Sequence, residues 1–465
     1  MNRSVRWRTR AAAAAAAALS LGVLAACSSG SSSSSSSSAA SASSAPAASG
    51  AASSASTSSA SAGTVSTSSC GTNPGVAATG TPINIGAINT KQPGTDFSDI
   101  ENMTGAYFAC VNANGGINGH PVKFFPVTEQ TNPGQIASLA KQLVTSDHVV
   151  GIMGSSSIIE CSVDAAYWKS VGIDVLGAGI DPECYSTPNT ASVNMGPRYS
   201  SDGATSYVLS QGATKVAFDQ SNVPGTAYIA AGPNAIAKAK GVSIQDFTEN
   251  VPITSANAIA TKLVTAAGPS GAVVLNFTPP EALLILQAAQ KLNLEDRVKY
   301  WACSTPCNTD FLATSLGPKW NNKLFVNAEL TPLDGNTSAT AQLFDAILKQ
   351  YGTNVSGGVG SFSEMGFTIG EIATHALESV KGDYTIASVS AALQAVSDYK
   401  TGMLCQGYTY GNYSEHIPNN MDYTVTPDNG KFVQASSGGG CTLISADDPQ
   451  IAAYRAIAGT APMAS

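Results

Sequence analysis

Three consecutive serines, Ser155, Ser156 and Ser157, follow an uninterrupted apolar run and precede a helical pattern. Free backbone N–H groups and the helix dipole at such a position favour an anion, typically a ligand carboxylate, and serine hydroxyls can add hydrogen bonds. The alternative is that the serines only cap the helix. The next predicted strand ends at Gly179, Ile180 and Asp181, which places these residues on the same sheet edge as the serines. The alternative is that they form an ordinary loop.

Short motifs of acyl-transfer enzymes also occur in the chain. Ser138 and Lys141 match S-x-x-K, and Lys400 begins a K-T-G sequence, as in penicillin-recognising enzymes. Ser138, however, lies inside an amphipathic helical pattern, and the S-D-N element is absent. Nucleotide-binding, zinc-protease and serine-hydrolase motifs are absent as well. We therefore expect no enzyme activity and no cofactor.

Nine cysteines indicate an oxidising compartment. If Cys27 is set apart, the eight that remain are compatible with four disulfides, although counting does not determine the connectivity. Short separations favour Cys161–Cys184 and Cys303–Cys307, and Cys70–Cys110 and Cys405–Cys441 follow by elimination. A metal site at Cys303 and Cys307 is the competing interpretation, but zinc needs about four ligands and no further ligand lies nearby in sequence, so we expect no metal.

The N-terminus carries an export and anchoring pattern. An Arg-rich start is followed by the apolar run 11–26, which is too short to span a bilayer of about 30 Å comfortably. The small residues before Cys27 resemble a bacterial lipobox, which implies cleavage of residues 1–26 and a diacylglycerol on Cys27. Two acyl chains would hold the protein to the membrane. The alternative is a plain signal peptide.

The segment 27–80 consists almost wholly of Ser, Ala, Gly and Thr, so we expect a disordered tether. About 365 residues remain after it, enough for two core-forming lobes. The net charge of −8 and the lack of a Lys/Arg cluster argue against a nucleic-acid partner.

Strand and helix patterns alternate through the body of the chain. Strands are predicted at 82–89, 121–127, 149–153, 173–178, 215–219, 243–247, 272–276, 299–302 and 324–327. Helices are predicted between them and at 339–351, 364–380 and 386–396, with short strands in 407–434. Two runs of β-α repeats predict an α/β protein with two doubly wound parallel-sheet lobes, whose strand ends face each other across a ligand cleft.

The stretch 105–144 resembles the branched-chain amino-acid (Leu/Ile/Val-binding) type of ABC-transporter substrate-binding protein, which has the type I periplasmic-binding fold. The turn 112–119, Asn-Ala-Asn-Gly-Gly-Ile-Asn-Gly, is its most specific piece. The resemblance implies three passages between lobes, near Arg198, Asn327 and Pro418. Lobe one would comprise 82–198 and 328–417, lobe two 199–327 and 418–441, followed by a tail at 442–465.

The same resemblance implies a ligand site at the strand ends. Amino-acid-binding members carry an acidic residue after the strand that corresponds to 299–302, whereas this chain has none in 301–305. Specificity for a free amino acid is therefore not expected, although Asp181 or Glu364 could substitute. Aromatic residues near the cleft edge could contact a flatter or more apolar ligand, or could belong to the core. The predicted contacts are Ser155, Ser156, Ser157, Gly179, Ile180, Asp181, Tyr199, Phe277, Trp301, Ser304, Phe362 and Glu364.

These observations predict a monomeric, lipid-anchored solute-binding protein on the extracytoplasmic face of a bacterial cell membrane. It would capture a small molecule (an amino acid or a related organic acid or amide) and deliver it to an ABC permease. The alternative is a ligand sensor of the same fold for a membrane signalling protein.

Overall fold

The structure is a computed structural model that describes residues 67–459. Strands and helices alternate along most of these residues, which confirms the predicted α/β class. The first sheet contains β1 (Ile83–Gln92), β2 (Thr95–Asp96), β3 (Val122–Glu129), β4 (Gly151–Ser155), β5 (Val175–Gly177) and β6 (Thr190–Ser192). The second contains β7 (Lys215–Ser221), β8 (Ser243–Glu249), β9 (Ala272–Asn276), β10 (Tyr300–Cys303), β11 (Leu324–Ala328), β12 (Met421–Asp428), β13 (Lys431–Gln434) and β14 (Thr442–Leu443).

Helices connect most of the parallel strands. They are α1 (Ser98–Ala113), α2 (Pro133–Thr145), α3 (Glu160–Val171), α4 (Gly196–Ser210), α5 (Ala231–Ala239), α6 (Ala256–Ala267), α7 (Pro279–Lys291), α8 (Asp310–Ser315), α9 (Ala339–Tyr351), α10 (Ser361–Ser379), α11 (Ile386–Gln394) and α12 (Pro449–Ala458). Asn132 caps α2 as its sequence predicts, because its side chain accepts from the Gln135 N–H at 3.0 Å. No helix in the described part of the chain has the length and apolar character of a membrane span.

Each sheet is mostly parallel. The first has the order β2-β1-β4-β5-β6, with β3 on β1, and only the β1–β2 pair is antiparallel. The second has the order β13-β12-β11-β10-β9-β7-β8, and β12 makes antiparallel pairs with β11, β13 and β14. All residues of β4, β9 and β11 are buried, because helices cover both faces of a parallel sheet.

The two sheets define two lobes. The first lobe contains β1–β6, α1–α3 and α9–α11, and its largest core cluster includes Ile85, Leu176 and Phe367. The second lobe contains β7–β14 and α4–α8, with a core around Trp301 and Trp320. The chain passes between the lobes three times, after β6, after β11 and before β12.

The three passages are hydrogen-bonded to one another. The buried Asn419 side-chain amide donates to the Val193 carbonyl at 3.1 Å and to the Glu329 carbonyl at 3.0 Å. The Glu329 carboxylate oxygen accepts from the Met195 N–H at 2.5 Å. One residue of the third passage therefore contacts the other two, and Glu329 links the first and second passages again.

Both chain ends of the described region pack more closely than their sequence indicates. Residues 67–80, assigned above to the disordered tether, hydrogen-bond to the first lobe, for example from the Asn73 N–H to the Asn114 carbonyl at 2.9 Å. The expectation of disorder is therefore wrong for these residues. The predicted tail contributes β14 and α12, and Asp448 at the start of α12 pairs with Arg198 at 2.7 Å, with both side chains nearly inaccessible to solvent.

Four disulfides join the cysteines of the described region in the pairs favoured above. They are Cys70–Cys110, Cys161–Cys184, Cys303–Cys307 and Cys405–Cys441. Because Cys303 is bonded to Cys307, the competing metal interpretation of this pair does not apply. No group of three or more His, Cys, Asp or Glu within residues 67–459 is placed to hold a metal ion.

Glu329→Gln should change the pH dependence of stability. Burial raises the pKa of Glu329 from 4.5 to about 8, although backbone N–H groups partly oppose the shift. The folded state thus binds this proton more tightly than the unfolded state, so the stabilisation is complete below about pH 4.5 and is lost as the pH rises through 8. Between pH 5 and 8 the variant should lose less stability than the wild type, by up to about 1.4 kcal/mol per pH unit.

Chemical denaturation at pH 5, 6, 7 and 8 measures this difference in the free energy of unfolding. Parallel profiles for the two proteins would show that Glu329 is not held in its neutral form.

Arg198→Ala should lower the free energy of unfolding by about 3 kcal/mol, because it leaves the Asp448 carboxylate buried without its partner. Lys400→Ala is the matched control, since the Lys400–Asp398 pair is exposed at 67% and 74% of its side chains. Its loss should stay below about 0.5 kcal/mol. Equal effects of the two substitutions on urea denaturation would contradict the importance of the buried pair.

Candidate functional site

A cleft lies between the two lobes where the strands of both sheets end. Its inner part, called the inner chamber here, has a volume of about 70 Å³. The first lobe contributes Ala178 and Ile180 after β5 and Asn194 after β6; the second contributes Val223 after β7 and Phe277 after β9. These residues converge because the carboxyl ends of parallel strands meet at one edge of each sheet.

The chamber wall is predominantly apolar. Phe97 and Phe362 form an edge-to-face pair with ring centroids 5.3 Å apart, and Ile100, Ile158, Ile229 and Met365 complete much of the wall. The Asn276 amide belongs to the lining but donates to the Ser201 hydroxyl at 2.8 Å and to the Pro197 carbonyl at 3.1 Å. Such a surface favours an apolar group with few polar contacts.

A wider outer part, called the vestibule here, has a volume of about 490 Å³. Thr95, Thr278 and Phe362 line both the vestibule and the inner chamber, so the two cavities are adjacent. Asp96, Asp99 and Glu281 also line the vestibule; they are supplied by the β2 hairpin and by the first turns of α1 and α7. Glu281 is buried, and its carboxylate accepts from the Ile253 N–H at 2.7 Å.

Hydrogen bonds between the lobes surround the cleft. The Thr278 hydroxyl donates to the Gly94 carbonyl at 3.2 Å, and the Tyr228 hydroxyl donates to the Ile180 carbonyl. The segment 308–310 pairs with 359–361 through two backbone bonds, of which the Ser361 N–H to Asn308 carbonyl bond measures 2.8 Å. The structure therefore represents a state in which the lobes touch on several sides of the cleft.

The electrostatics of the cleft are neutral inside and negative outside. Glu329 lines the inner chamber, and its pKa of about 8 keeps it protonated at pH 7. In the vestibule, Asp96 pairs with Lys91 at 2.9 Å, and hydrogen bonds from Ser98 and Lys91 lower its pKa against the effect of burial. The Asp99 carboxylate accepts from the Ser356 and Gly357 N–H groups at 2.8 and 2.6 Å.

Ser155 and Ser157 line neither the inner chamber nor the vestibule, but a separate small cavity that shares Ala178 with the inner chamber. Ser155 accepts from the Ile88 N–H at 3.0 Å, and Ser157 donates to the buried Glu129 carboxylate at 2.9 Å. Ser157 also accepts from the Glu160 N–H at 3.1 Å, so α3 begins at Glu160 rather than at Ser155. Ser156 is buried and lines neither cavity. Ser155 and Ser157 therefore have structural partners, whereas the buried Ser156 hydroxyl has no hydrogen-bond partner among the described residues, and a ligand role for the serines remains a prediction.

The predicted loop after β5 divides between the two roles. Ile180 lines the inner chamber, whereas Asp181 accepts from the Ser162 N–H at 2.7 Å and stabilises its own turn. The Gly179 N–H donates to the Asn194 side-chain oxygen at 2.8 Å, and the Asn194 side-chain amide donates to the Gly179 carbonyl at 2.9 Å. Gly179 and Asp181 line neither the inner chamber nor the vestibule, and their role in binding remains a prediction.

The aromatic predictions divide in the same way. Phe277 and Phe362 line the inner chamber. Trp301 is fully buried in the second-lobe core, and its N–H donates to the Glu295 carbonyl at 3.2 Å. Tyr199 is buried and donates to Gln450 at 3.0 Å. These two belong to the core, which was the alternative given for each aromatic.

The last two predicted contacts also lie elsewhere. Ser304 is buried behind the end of β10, where its N–H donates to the Leu275 carbonyl at 2.9 Å. Glu364 lies in a separate small cavity with Asp310 and Asp334, and burial raises its pKa to about 8. Glu364, which could have replaced the acidic residue that this chain lacks after β10, therefore lines neither the inner chamber nor the vestibule.

Sequence reasoning missed several cleft residues. Phe97, Ile100 and Val223 lie in the lining without any polar motif around them. One signal was available: Val223 and Phe277 each follow a predicted strand end, where side chains of parallel sheets enter the ligand site. Phe97 and Ile100 instead arrive through the β1–β2 hairpin, which the sequence did not predict.

Comparisons with known proteins agree with this architecture. The model of the family described as "Periplasmic binding protein" matches residues 82–431. No curated protein matches the chain by sequence.

Solved structures share the fold at low identity. A branched-chain amino acid ABC transporter protein from Thermus thermophilus with bound valine has a TM-score of 0.69, is 16% identical, and the match covers 82% of this chain and 100% of that one. A fatty acid ABC transporter substrate-binding protein from Thermomonospora curvata has a TM-score of 0.64 at 15% identity, with 80% and 93% covered. A solute-binding protein from R. palustris in complex with 4-hydroxybenzoate has a TM-score of 0.63 at 16% identity, with 79% and 98% covered.

The family model spans most of the chain, and the two-lobed α/β fold with an interlobe cleft is the architecture of these neighbours. The Ser138 hydroxyl donates to the Gly134 carbonyl at 2.8 Å within α2, as expected of an ordinary helical serine. The prediction that the protein is not an enzyme is confirmed by the family. The chain belongs to the periplasmic binding protein family, whose members bind solutes outside the cytoplasm.

Proposed function

We propose that this protein is a lipid-anchored solute-binding protein that captures a small molecule between its lobes and delivers it to an ABC importer. The observation that carries the proposal is the adjacent chamber and vestibule at the carboxyl ends of both sheets, with lining residues from both lobes. A ligand that contacts both lobes stabilises the state in which they touch, which shifts the population toward closure. A closed form is the shape that a membrane permease can distinguish from the open one.

The lobe boundaries belong to this proposal. Lobe one comprises 82–198 and 328–417, and lobe two comprises 199–327 and 418–441, with β14 from the predicted tail paired to its strand β12. The passages after β6, after β11 and before β12 support this division, because rotation at three short segments moves the lobes with little change inside either core. Opening then requires the loss of the Thr278–Gly94 and Tyr228–Ile180 hydrogen bonds.

Membrane attachment rests on the sequence alone. Cys27 and the segment 1–66 lie outside the described residues. Cleavage before Cys27 and addition of a diacylglycerol would place the folded lobes outside the membrane at the end of a Ser/Ala-rich tether. The structure starts at Thr67, and the Cys70–Cys110 disulfide joins this point to the first lobe.

Ligand binding should be blocked by Thr278→Trp. Thr278 lines both cavities, so the indole would occupy the junction between them. Amino acids, amides, amines and short-chain or aromatic acids would be screened by thermal shift, and X-ray scattering would measure compaction with each hit. At least one compound should raise Tm and lower the radius of gyration, and its affinity should fall at least about tenfold in the variant.

Thr261→Trp is the matched control, because Thr261 is an exposed residue of α6 and lines neither cavity. The affinity of the Thr261→Trp variant for the same compound should equal that of the wild type. A full screen without any shift or compaction would refute the proposed function, and unchanged binding in Thr278→Trp would place the ligand elsewhere.

Cys27→Ser should release the protein from the membrane, because the residue that carries the acyl chains is lost. Fractionation of bacterial cells should recover the wild type in the membrane pellet and the variant in the extracytoplasmic soluble fraction. Ser31→Ala, a few residues along the tether, is the control and should remain in the pellet. A soluble wild type would show that the leader is a plain signal peptide.

A further inference from the structure

The cleft has an unbalanced charge. Neither cavity is lined by a lysine, arginine or histidine of the described residues, whereas Asp96, Asp99 and the buried Glu281 belong to the vestibule lining. Cations near the lining in sequence are already paired: Lys91 with Asp96 at 2.9 Å, and Arg198 with Asp448 at 2.7 Å. A ligand carboxylate would therefore enter a negative vestibule and find no cationic side chain there.

Several hydroxyl groups near the cleft already have hydrogen-bond partners. The Ser155 hydroxyl accepts from the Ile88 N–H, and the Ser157 hydroxyl donates to the Glu129 carboxylate. Neither serine lines the inner chamber. The remaining polar lining includes the Thr226 hydroxyl, which donates to the Val223 carbonyl at 2.7 Å. An anion in the inner chamber would lose its hydration among predominantly apolar side chains and without any cationic side chain, which is costly.

The aromatic lining has the opposite preference. Phe97 and Phe362 line the inner chamber, and Phe362 also faces the vestibule. The face of an aromatic ring attracts a cation and repels an anion. A positive charge at the junction of the two cavities would thus be attracted by the ring of Phe362 and by the carboxyl groups outside it.

We propose that the cleft is selective for a cationic amphipathic molecule, an amine that carries an apolar group, and that it discriminates against carboxylates. The inference rests on the proposed function and names its ligand class. The apolar end occupies the inner chamber beside Phe277, and the ammonium lies toward Asp99 and Glu281 in the vestibule. An uncharged amide of the same shape binds with intermediate affinity.

Benzylamine, benzamide and benzoate form a matched series that differs mainly in charge. Calorimetric titration of the full chain carrying Cys27→Ser, at pH 7 and low salt, should give the tightest binding for benzylamine and the weakest for benzoate, with at least about a tenfold difference between them. Added salt should weaken benzylamine more than benzamide, because only the charged ligand is screened.

Substitutions in the vestibule test where the selectivity arises. Glu281→Gln should weaken benzylamine by about fivefold and leave benzamide unchanged. Gln92→Lys, which adds a cation to the vestibule lining, should weaken benzylamine and strengthen benzoate. Asp398→Asn is the control: it also removes a carboxylate, but one that is 74% exposed and lies outside the cleft, so it should change neither affinity.

The possible outcomes separate the two proposals. If benzoate or benzamide is the tightest ligand, the charge selectivity is overturned and the proposed function stands. The same conclusion follows if Glu281→Gln and Asp398→Asn change the affinity for benzylamine equally. If none of the three compounds binds, the inference falls, and the broader screen with Thr278→Trp decides independently whether the proposed function falls with it.

Discussion

The fold depends on one buried side-chain amide. Asn419 donates to the carbonyl groups of Val193 and Glu329, so a single residue hydrogen-bonds all three passages of the chain between the lobes. Buried backbone carbonyls need such partners, because an unpaired one costs about 1–3 kcal/mol. With the passages held together, the carboxyl ends of both sheets face each other, and the side chains that follow the strands line one cleft.

Several polar groups near the first-sheet edge are engaged in structural hydrogen bonds. The Glu129 carboxylate accepts from Thr90, Thr131 and Ser157, and the turn after β5 is held by Asp181 and Asn194. Phenylalanine, isoleucine and methionine side chains are consequently prominent in the inner chamber. The same fold therefore has room for different ligand chemistries, since the strand ends can expose or bury their polar groups.

Periodicity predicted the fold well, because the apolar runs of β4, β9 and β11 are buried on both faces and the Asn132-Pro133 pair starts α2 as its types require. The site was predicted less well. Ile180 was predicted from its strand end, and Phe277 and Phe362 as aromatic residues near the cleft edge; all three line the inner chamber, and their role in binding remains a prediction. The partner of Ser157 is Glu129, on the edge strand β3, and only the three-dimensional arrangement of β3 beside β1 brings this carboxylate to the serines.

The Cys405–Cys441 bond connects the two lobes covalently. Leu404 beside the first cysteine packs in the first-lobe core, whereas the second cysteine directly precedes β14 of the second sheet. In the proposed opening, this covalent bond would limit how far the two halves can separate at this point. The displacement of one lobe relative to the other would then be smallest beside the sulfur atoms and would increase with distance from them.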